Sequence, residues 1–402
     1  MIAPLPADFF RRNRQVLRRE SEQILPIIVP ANGLLQRTAD TTLPFTQDSN
    51  FWYLTGVDVP DAVVVITQSE EFIIVPGRSD TRATFDGAVD FDVLRSRSGI
   101  ADIYDDDEGW HKLETIIKRR GMFAAPLAPA AYISTYGIYA NPGRKRTLTK
   151  IHRLVPEAVA HDLRPVLTRL RARKQPEELH CMRAAIALTK KTLASLEDST
   201  DFSAMHHEYE VEAAITHAFR AAGAAGHAYA PIVAAGPNAT TLHYVTNNSP
   251  IAPTDFVVID VGAEIEHYAA DITRTLHQGT PSPRQTAVYE AVQAAQAAIM
   301  DQLKPGIMMQ EVESFAEKII GQELKALGLI SDSTDKRAIR RFYPHSSSHF
   351  LGLDVHDVGD YHSPLEPGMV LTCEPGIYIP AEGIGVRIED DVLITDTGSE
   401  VL

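Results

Sequence analysis

Thiols, long apolar runs and positive charge are all scarce in this sequence. Only two cysteines, Cys181 and Cys373, stand among 402 residues, so there is no disulfide framework, and the usage is that of a reducing compartment. No apolar run approaches the roughly 20 residues that cross a bilayer. The N-terminal MIAPLPADFFRRNRQ has no apolar core ahead of a cleavage site. A glycine-rich phosphate loop, short-period repeats and low-complexity tracts are missing too. The formal net charge of −15 sets the surface against nucleic acid and anionic membrane, so neither is expected as a partner. One basic run exists, Arg11, Arg12, Arg14, Arg18 and Arg19. Acidic residues follow it closely, so it reads as a solvated helix face rather than a nucleic-acid arm. The expected setting is the cytoplasm.

What remains has the composition of a globular protein, 44% apolar and 23% charged, and its 402 residues exceed what one core usually serves. Two domains are expected. In the first half, DAVVVIT and EFIIVPG read as strands around a polar tip at Ser69–Glu71. Asp105–Glu108 reads as a solvated acidic loop, and HKLETIIKRRG as a helix closed by Gly121. Residues 1–165 are thus expected to form a small α/β domain without a ligand cluster of its own. The boundary falls in LRPVLTRLRARKQPEE, after which Pro176, Glu177 and Glu178 make a good helix start. The helix that follows places Leu179, Met182, Ile186, Thr189 and Leu193 on one face. Further helices are predicted in YEVEAAITHAFRAAG, near Arg284–Leu303 and over Gln310–Leu327. The strands are DFVVIDVG, HYAADITRTL, MVLTCEPGIYI and GVRIEDDVLIT. Residues 174–402 are therefore α/β with a substantially antiparallel sheet.

On those last strands and in the loop between them stand Asp260, Asp271, His349, Glu374 and Glu389. Each acid lies in or beside an apolar run, where an unpaired carboxylate is costly to bury. A pair of divalent cations removes that cost. Four negative charges and one imidazole offset two such ions, and an oxygen-rich donor set suits Mn²⁺ better than a thiolate-seeking metal. Two ions sharing a water lower its pKa and present a nucleophile, which makes the chain a candidate hydrolase. Asp260 and Asp271 on adjacent antiparallel strands would share a face, as would Arg387 and Glu389, two residues apart. Any one of these acids alone is better read as a salt-bridged strand residue; the five together argue for a metal site.

Fifteen histidines are too many to be functional as a group. His345 and His349 lie in HSSSHFLG, where serine and glycine favour a loop; His356 follows in GLDVHDVG, and His243 stands in TTLHYVT. His206, His207, His217 and His227 read as surface or packing residues. Cys373, beside Glu374, reads as a small buried apolar residue.

These segments resemble a known family. From about Lys174 onward the chain is similar to the pita-bread metallopeptidases, and most of all to aminopeptidase P. NATTLHY, DVGAE, DITRT, SHFLGLDVHDVG, EPGMVLTCEPGIYI and GIGVRIEDD stand in that family's order, and TADTTLPFTQDSNFWYLTG resembles its N-terminal domain. The resemblance implies a curved, largely antiparallel sheet and a cytoplasmic homodimer or homotetramer acting on proline-containing peptides. It implies that Asp260 chelates one metal, that Asp271 and Glu389 bridge two, and that His349 and Glu374 complete the second. A bridging hydroxide would attack the carbonyl before proline, with Glu374 shuttling the proton. His243 and His356 would steady the negative oxygen. His345, Tyr378 and Arg387 would line the proline pocket, and Asp40 would reach a neighbouring subunit's site.

Departures from the family pattern are Ser346 where glycine is usual, Ala235 where serine or glycine is frequent, and an end at Leu402 where relatives commonly continue for another helix. Within the fold, prolidase shares all five ligands and would need a cation such as Arg387 to capture a dipeptide's carboxylate. A non-catalytic peptide-binding module would lose ligands, and a metal-free hydrolase of the creatinase type lacks the set.

Overall fold

The computed structural model describes residues 3–77, 80–197 and 200–402. They gather into two compact units, Pro4–Leu170 and Arg171–Leu402.

The N-terminal unit is built on a six-stranded mixed sheet. Its centre is antiparallel, with Ile27–Pro30 pairing Val63–Ile66 and the latter pairing Glu71–Ile74. Parallel strands extend both sides. The central strands IIVP and VVVI are buried throughout, as continuous β-branched runs demand when both sheet faces are covered. One face packs Phe72, Leu113, Ile117 and Phe123 into a core. Helix Asp106–Arg120 ends where expected, with Gly121 left-handed at φ 70°. It begins earlier than expected: the acidic stretch is not a loop but the helix's first turn, with Asp105 capping the backbone N–H of Glu108. Three acids beside the positive end of the dipole make that start favourable.

The basic run needs a second correction. Arg14 is fully buried rather than solvated. Its Nη1 donates to Leu54 O (2.7 Å) and Ser98 O (3.0 Å), carbonyls at the ends of helices Ser49–Thr55 and Phe91–Ser98, and its Nη2 donates to Glu71 (2.8 Å). A cation among helix C-terminal carbonyls is well placed. Arg18 completes the arrangement through the other oxygen of Glu71, at 2.7 Å.

The C-terminal unit is antiparallel in all its named ladders. One sheet runs Ile272–His277, Phe256–Val261, Ile232–Ala235; another runs Val370–Cys373, Asp390–Ile394, Ser399–Val401; Gly376–Ile379 pairs Ile384–Arg387. Helices Pro283–Met300 and Met309–Ala326 cover these sheets with Val288, Val292, Ile320 and Leu324 on one core and Ile299 and Val312 on the next. Helix Pro176–Glu197 buries Met182, Ile186, Thr189 and Leu193. At its entry lies a charged cluster: Lys174 donates to Asp357 Oδ2 (3.0 Å), Arg171 pairs with Asp357 and Asp354, and Tyr268 donates to Glu178 (2.8 Å). Among the described residues no helix is long and apolar enough to cross a membrane.

Glu71 binds two arginines, and although burial opposes it, their hydrogen bonds and charges hold its carboxyl below the usual range. A depressed carboxylate contributes stability that is present above its unfolded pKa and lost as pH falls through the folded value. Glu71→Gln is expected to cost about 2 kcal/mol at neutral pH, less than a fully buried pair because Glu71 keeps 20% of its side chain exposed. Urea midpoints of both proteins across pH check this; the gap should close in acid, and a gap unchanged there would contradict it.

Candidate metal centre

Strand breaks build the site. MVLTCEPGIYI and GVRIEDDVLIT read as continuous strands, but each is interrupted, leaving Glu374 and Glu389 outside the named ladders. The ladders on either side keep one register, Cys373 opposite Asp390 and Gly376 opposite Arg387, so Glu374 and Glu389 face each other across the gap. HYAADITRTL is interrupted likewise, and Asp271 precedes strand Ile272–His277. Thr273 pairs with Asp260, and the period of two puts Asp271 and Thr273 on the same face. His349 lies in a loop rather than on the sheet, its backbone N–H donating to Thr372 Oγ1 at 3.1 Å.

The structure brings all five side chains into one connected cluster. Asp271, His349 and Glu389 offer ligand atoms within 4.8 Å of one another. His349 Nε2 stands 3.3 Å from Asp271 and 3.4 Å from Glu374. Its Nδ1 faces Phe350 O at 3.0 Å; a carbonyl only accepts, so Nδ1 carries a proton. Asp260 joins through Tyr229, whose hydroxyl lies 2.5 Å from Asp260 Oδ1 and 2.6 Å from Asp271 Oδ1. Thr273 Oγ1 donates to Glu389 at 2.6 Å.

Charge is unbalanced here. Among the described residues, Arg387 is the one arginine or lysine paired with the four carboxylates, through Asp260 at 2.6 Å. Burial first, then the neighbouring acids, pushes Glu374 up to about 7 and Glu389 well above the carboxylate range. Asp271 is raised by burial and by Asp260. Burial lowers His349, but the hydrogen bond to Asp271 and the charge of Glu374 outweigh it and raise the imidazole to about 9. Tyr229 has one proton for two carboxylate oxygens, so the second contact sets oxygen against oxygen unless further positive charge is present. Behind Asp271, the buried Asp391 accepts its backbone N–H at 3.1 Å, while the other oxygen of Asp391 has no hydrogen-bond partner. Oxygen-rich, buried and short of cations, the set fits hard divalent metal ions.

Around it stand the other histidines. His356 meets His349 edge to face, ring centroids 4.5 Å apart, and burial followed by the charge of His349 lowers it to about 4. His345 falls to about 3, mainly through burial and then Arg387. Its Nδ1 donates to Ser346 O (2.8 Å), which leaves Nε2 to accept from Tyr378 (2.9 Å), whose oxygen in turn accepts from Arg387 Nη1 (3.0 Å). Ser346, where glycine is usual, turns outward and leaves that chain intact. His243 is exposed on the irregular segment 241–249, and its charge lowers both His345 and His356. Asp40 belongs to the N-terminal unit, exposed beside a cavity lined by Leu34, Gln36 and Arg146.

Sequence reasoning missed Tyr229, Thr273 and Asp391. Thr273 and Asp391 were within reach, each lying two residues after an expected ligand and so on the same strand face. Nothing in GHAYAPIV marks Tyr229, 31 residues from Asp260.

Comparison with known proteins agrees with this geometry. Residues 180–396 match metallopeptidase family M24, and residues 10–123 match the aminopeptidase P N-terminal domain. The Xaa-Pro aminopeptidase of Haemophilus influenzae is 33% identical over 428 residues, covering 100% of this chain and 95% of its own length. An aminopeptidase of Pseudomonas aeruginosa superposes with a TM-score of 0.87 at 32% identity, over 100% of this chain and 95% of that one. A variant of Escherichia coli aminopeptidase P in complex with substrate gives 0.85 at 31%, over 99% and 95%. Fold, cluster and full-length similarity agree: this chain belongs to metallopeptidase family M24, in the aminopeptidase P group with its pita-bread catalytic domain.

Proposed function

We infer that this protein is a metal-dependent aminopeptidase that removes the N-terminal residue from peptides with proline in second position. The observation that carries the reading is the convergence of Asp260, Asp271, His349, Glu374 and Glu389 in a chain similar from end to end to Xaa-Pro aminopeptidases. We assign residues 174–402 as the catalytic domain and 1–165 as the N-terminal domain.

Those five side chains would hold two divalent ions, Mn²⁺ by preference, since four carboxylates and one imidazole form a hard donor set. The chemistry such ions supply when bound is Lewis acidity toward water and toward the scissile carbonyl. The protein's own groups do the rest. Glu374 Oε1 is engaged by Thr372 (3.3 Å) and His349 (3.4 Å), which leaves Oε2 to take a proton and deliver it to the proline nitrogen, so that it departs as an amine. His243 and His356 donate to the carbonyl oxygen as it gains negative charge; His356, kept neutral near pH 7 mainly by burial, carries one ring N–H. His345 and Tyr378, ring centroids 5.5 Å apart, form an aromatic wall for the pyrrolidine ring. Proline's nitrogen has no N–H to donate, so selection by shape suits it.

Arg387 bears on the prolidase alternative. It is buried, and Nη2 donates to Asp260, Nη1 to Tyr378 and Nε to Thr273. A guanidinium committed on all three nitrogens suits a role in ordering the pocket, not in clamping a dipeptide's carboxylate. We place the enzyme in the cytoplasm, in keeping with its two buried free thiols, as a homodimer or homotetramer in which Asp40 reaches a neighbouring subunit's site.

Removal of divalent ions is expected to abolish hydrolysis of an Xaa-Pro-Yaa tripeptide, and Mn²⁺ should restore it better than Mg²⁺, which dehydrates reluctantly; full turnover by stripped enzyme would contradict the metal requirement. His243→Ala and His356→Ala should each lower kcat by about 10²–10³-fold with metal content unchanged. Elemental analysis of the same preparations checks this, and loss of metal from either variant would make that histidine a ligand. Tripeptides should be cleaved at least as well as Xaa-Pro dipeptides, and N-acetylation should remove most of kcat/KM. Cleavage of dipeptides alone would identify a prolidase.

A further inference from the structure

Segment 241–249, which carries His243, has no helix or strand to hold it. Its path depends on contacts from outside it, beginning with the backbone N–H of Glu208, which donates to Ser249 O (3.0 Å). The carboxylate of that same residue reaches both the segment and the turn before it. Glu208, the first residue of helix Glu208–Ala221, is 0% exposed. Its Oε1 accepts the backbone N–H of Ala235 (2.8 Å) and the amide of Asn238 (2.9 Å). Its Oε2 accepts the hydroxyl of Tyr244 (2.9 Å) and the backbone N–H of Ser249 (2.8 Å). All four donors lie between residues 235 and 249, before, beside and after His243.

Among the described residues the partners of the Glu208 side chain are these four donors, none of them an arginine or lysine. A carboxylate buried without a cation is tolerated only when its oxygens are fully hydrogen-bonded, and four donors on two oxygens meet that condition. The same helix contributes a second hold one turn on. Glu212 accepts from Asn247 Nδ2 (2.8 Å), and Asn247, 2% exposed, also donates to Pro231 O (2.9 Å) and accepts from Val233 N–H (3.0 Å). Residues four apart share a helix face, so Glu208 and Glu212 grip the segment together. Glu208 is the more committed of the two, because its partner Tyr244 adjoins His243 directly.

We propose that Glu208 is a positioning residue for His243, fixing the imidazole where it meets the substrate carbonyl; this rests on the role given to His243 above. A donor to a developing oxyanion works only at close range, and a displacement of about 1 Å can cost 10²-fold in rate. Such a residue acts on turnover through the histidine, without touching substrate or metal. Glutamine at this position keeps the shape but turns an N–H₂ toward a backbone N–H, of Ala235 or of Ser249, which cannot accept, so the segment must shift.

The test is a double-mutant cycle on the holoenzyme with a Xaa-Pro-Yaa tripeptide, reading kcat, KM, metal content and melting temperature. Glu208→Gln is expected to lower kcat by about 10²-fold, with little change in KM and full metal content. Added to His243→Ala, it should lower kcat by no more than about twofold further, since both changes remove one interaction. Independent, multiplying losses would overturn the proposal alone. Unchanged kcat in His243→Ala would overturn the role of His243 and this proposal with it. Should Glu208→Gln fail to fold, Tyr244→Phe removes a single donor. It should reduce kcat several-fold in the parent and not in His243→Ala, and wild-type kcat in folded Tyr244→Phe would overturn the proposal.

Discussion

Four carboxylates brought within a few ångströms of one another repel, and burial multiplies the repulsion because water no longer screens it. Asp260, Asp271, Glu374 and Glu389 are placed this way, and much of the C-terminal unit follows from it. The two long hairpin strands break where Glu374 and Glu389 must face each other. Thr273, Tyr229, Thr372 and the backbone N–H of Glu389 and Asp271 are spent on fixing acidic residues or their backbone. Burial and the neighbouring acids raise Glu374 and Glu389, and the carboxylates around it raise His349 against its own burial, as expected of crowded acids with few cations beside them.

A second consequence is a division between side chains that are held and segments that do the holding. The three histidines expected to meet substrate all lie outside regular structure. Each nearby segment is tied by a carboxylate outside the metal cluster. Glu208 gathers the segment of His243. Glu313 accepts from Ser347 N–H (2.9 Å) and pairs with Arg340, which itself donates to His345 O (2.8 Å). Asp357, between Lys174 and Arg171, anchors the loop of His356, and a Cβ at Gly352 would sit 2.0 Å from its oxygen. Loops carry the chemistry here because rigid helices and buried acids pin them.

The elements that follow one clear period were legible in the sequence. The four long helices of the C-terminal unit appear within a few residues of where apolar spacing and proline or glycine punctuation put them, and the four acidic metal candidates stood out because acids in or beside apolar runs demand a reason. What stayed hidden depends on contacts far apart in the chain. Arg14 looks like any surface arginine until two helix ends and Glu71 are folded around it. Strand breaks at Glu374 and Glu389 are invisible in the sequence, since the runs on either side are strand-like and buried throughout, with no change of period to mark the gap. Tyr229 joins Asp260 and Asp271 only after strand Ile232–Ala235 pairs with Phe256–Val261.

The central claim is that the cluster holds a pair of divalent ions through these five side chains. Anomalous diffraction from crystals grown with Mn²⁺, recorded at the manganese edge, tests it most directly. Two peaks per chain are expected, contacted by Asp260, Asp271, His349, Glu374 and Glu389, with Asp271 and Glu389 touching both. A single peak, or peaks lying away from these side chains, would contradict it.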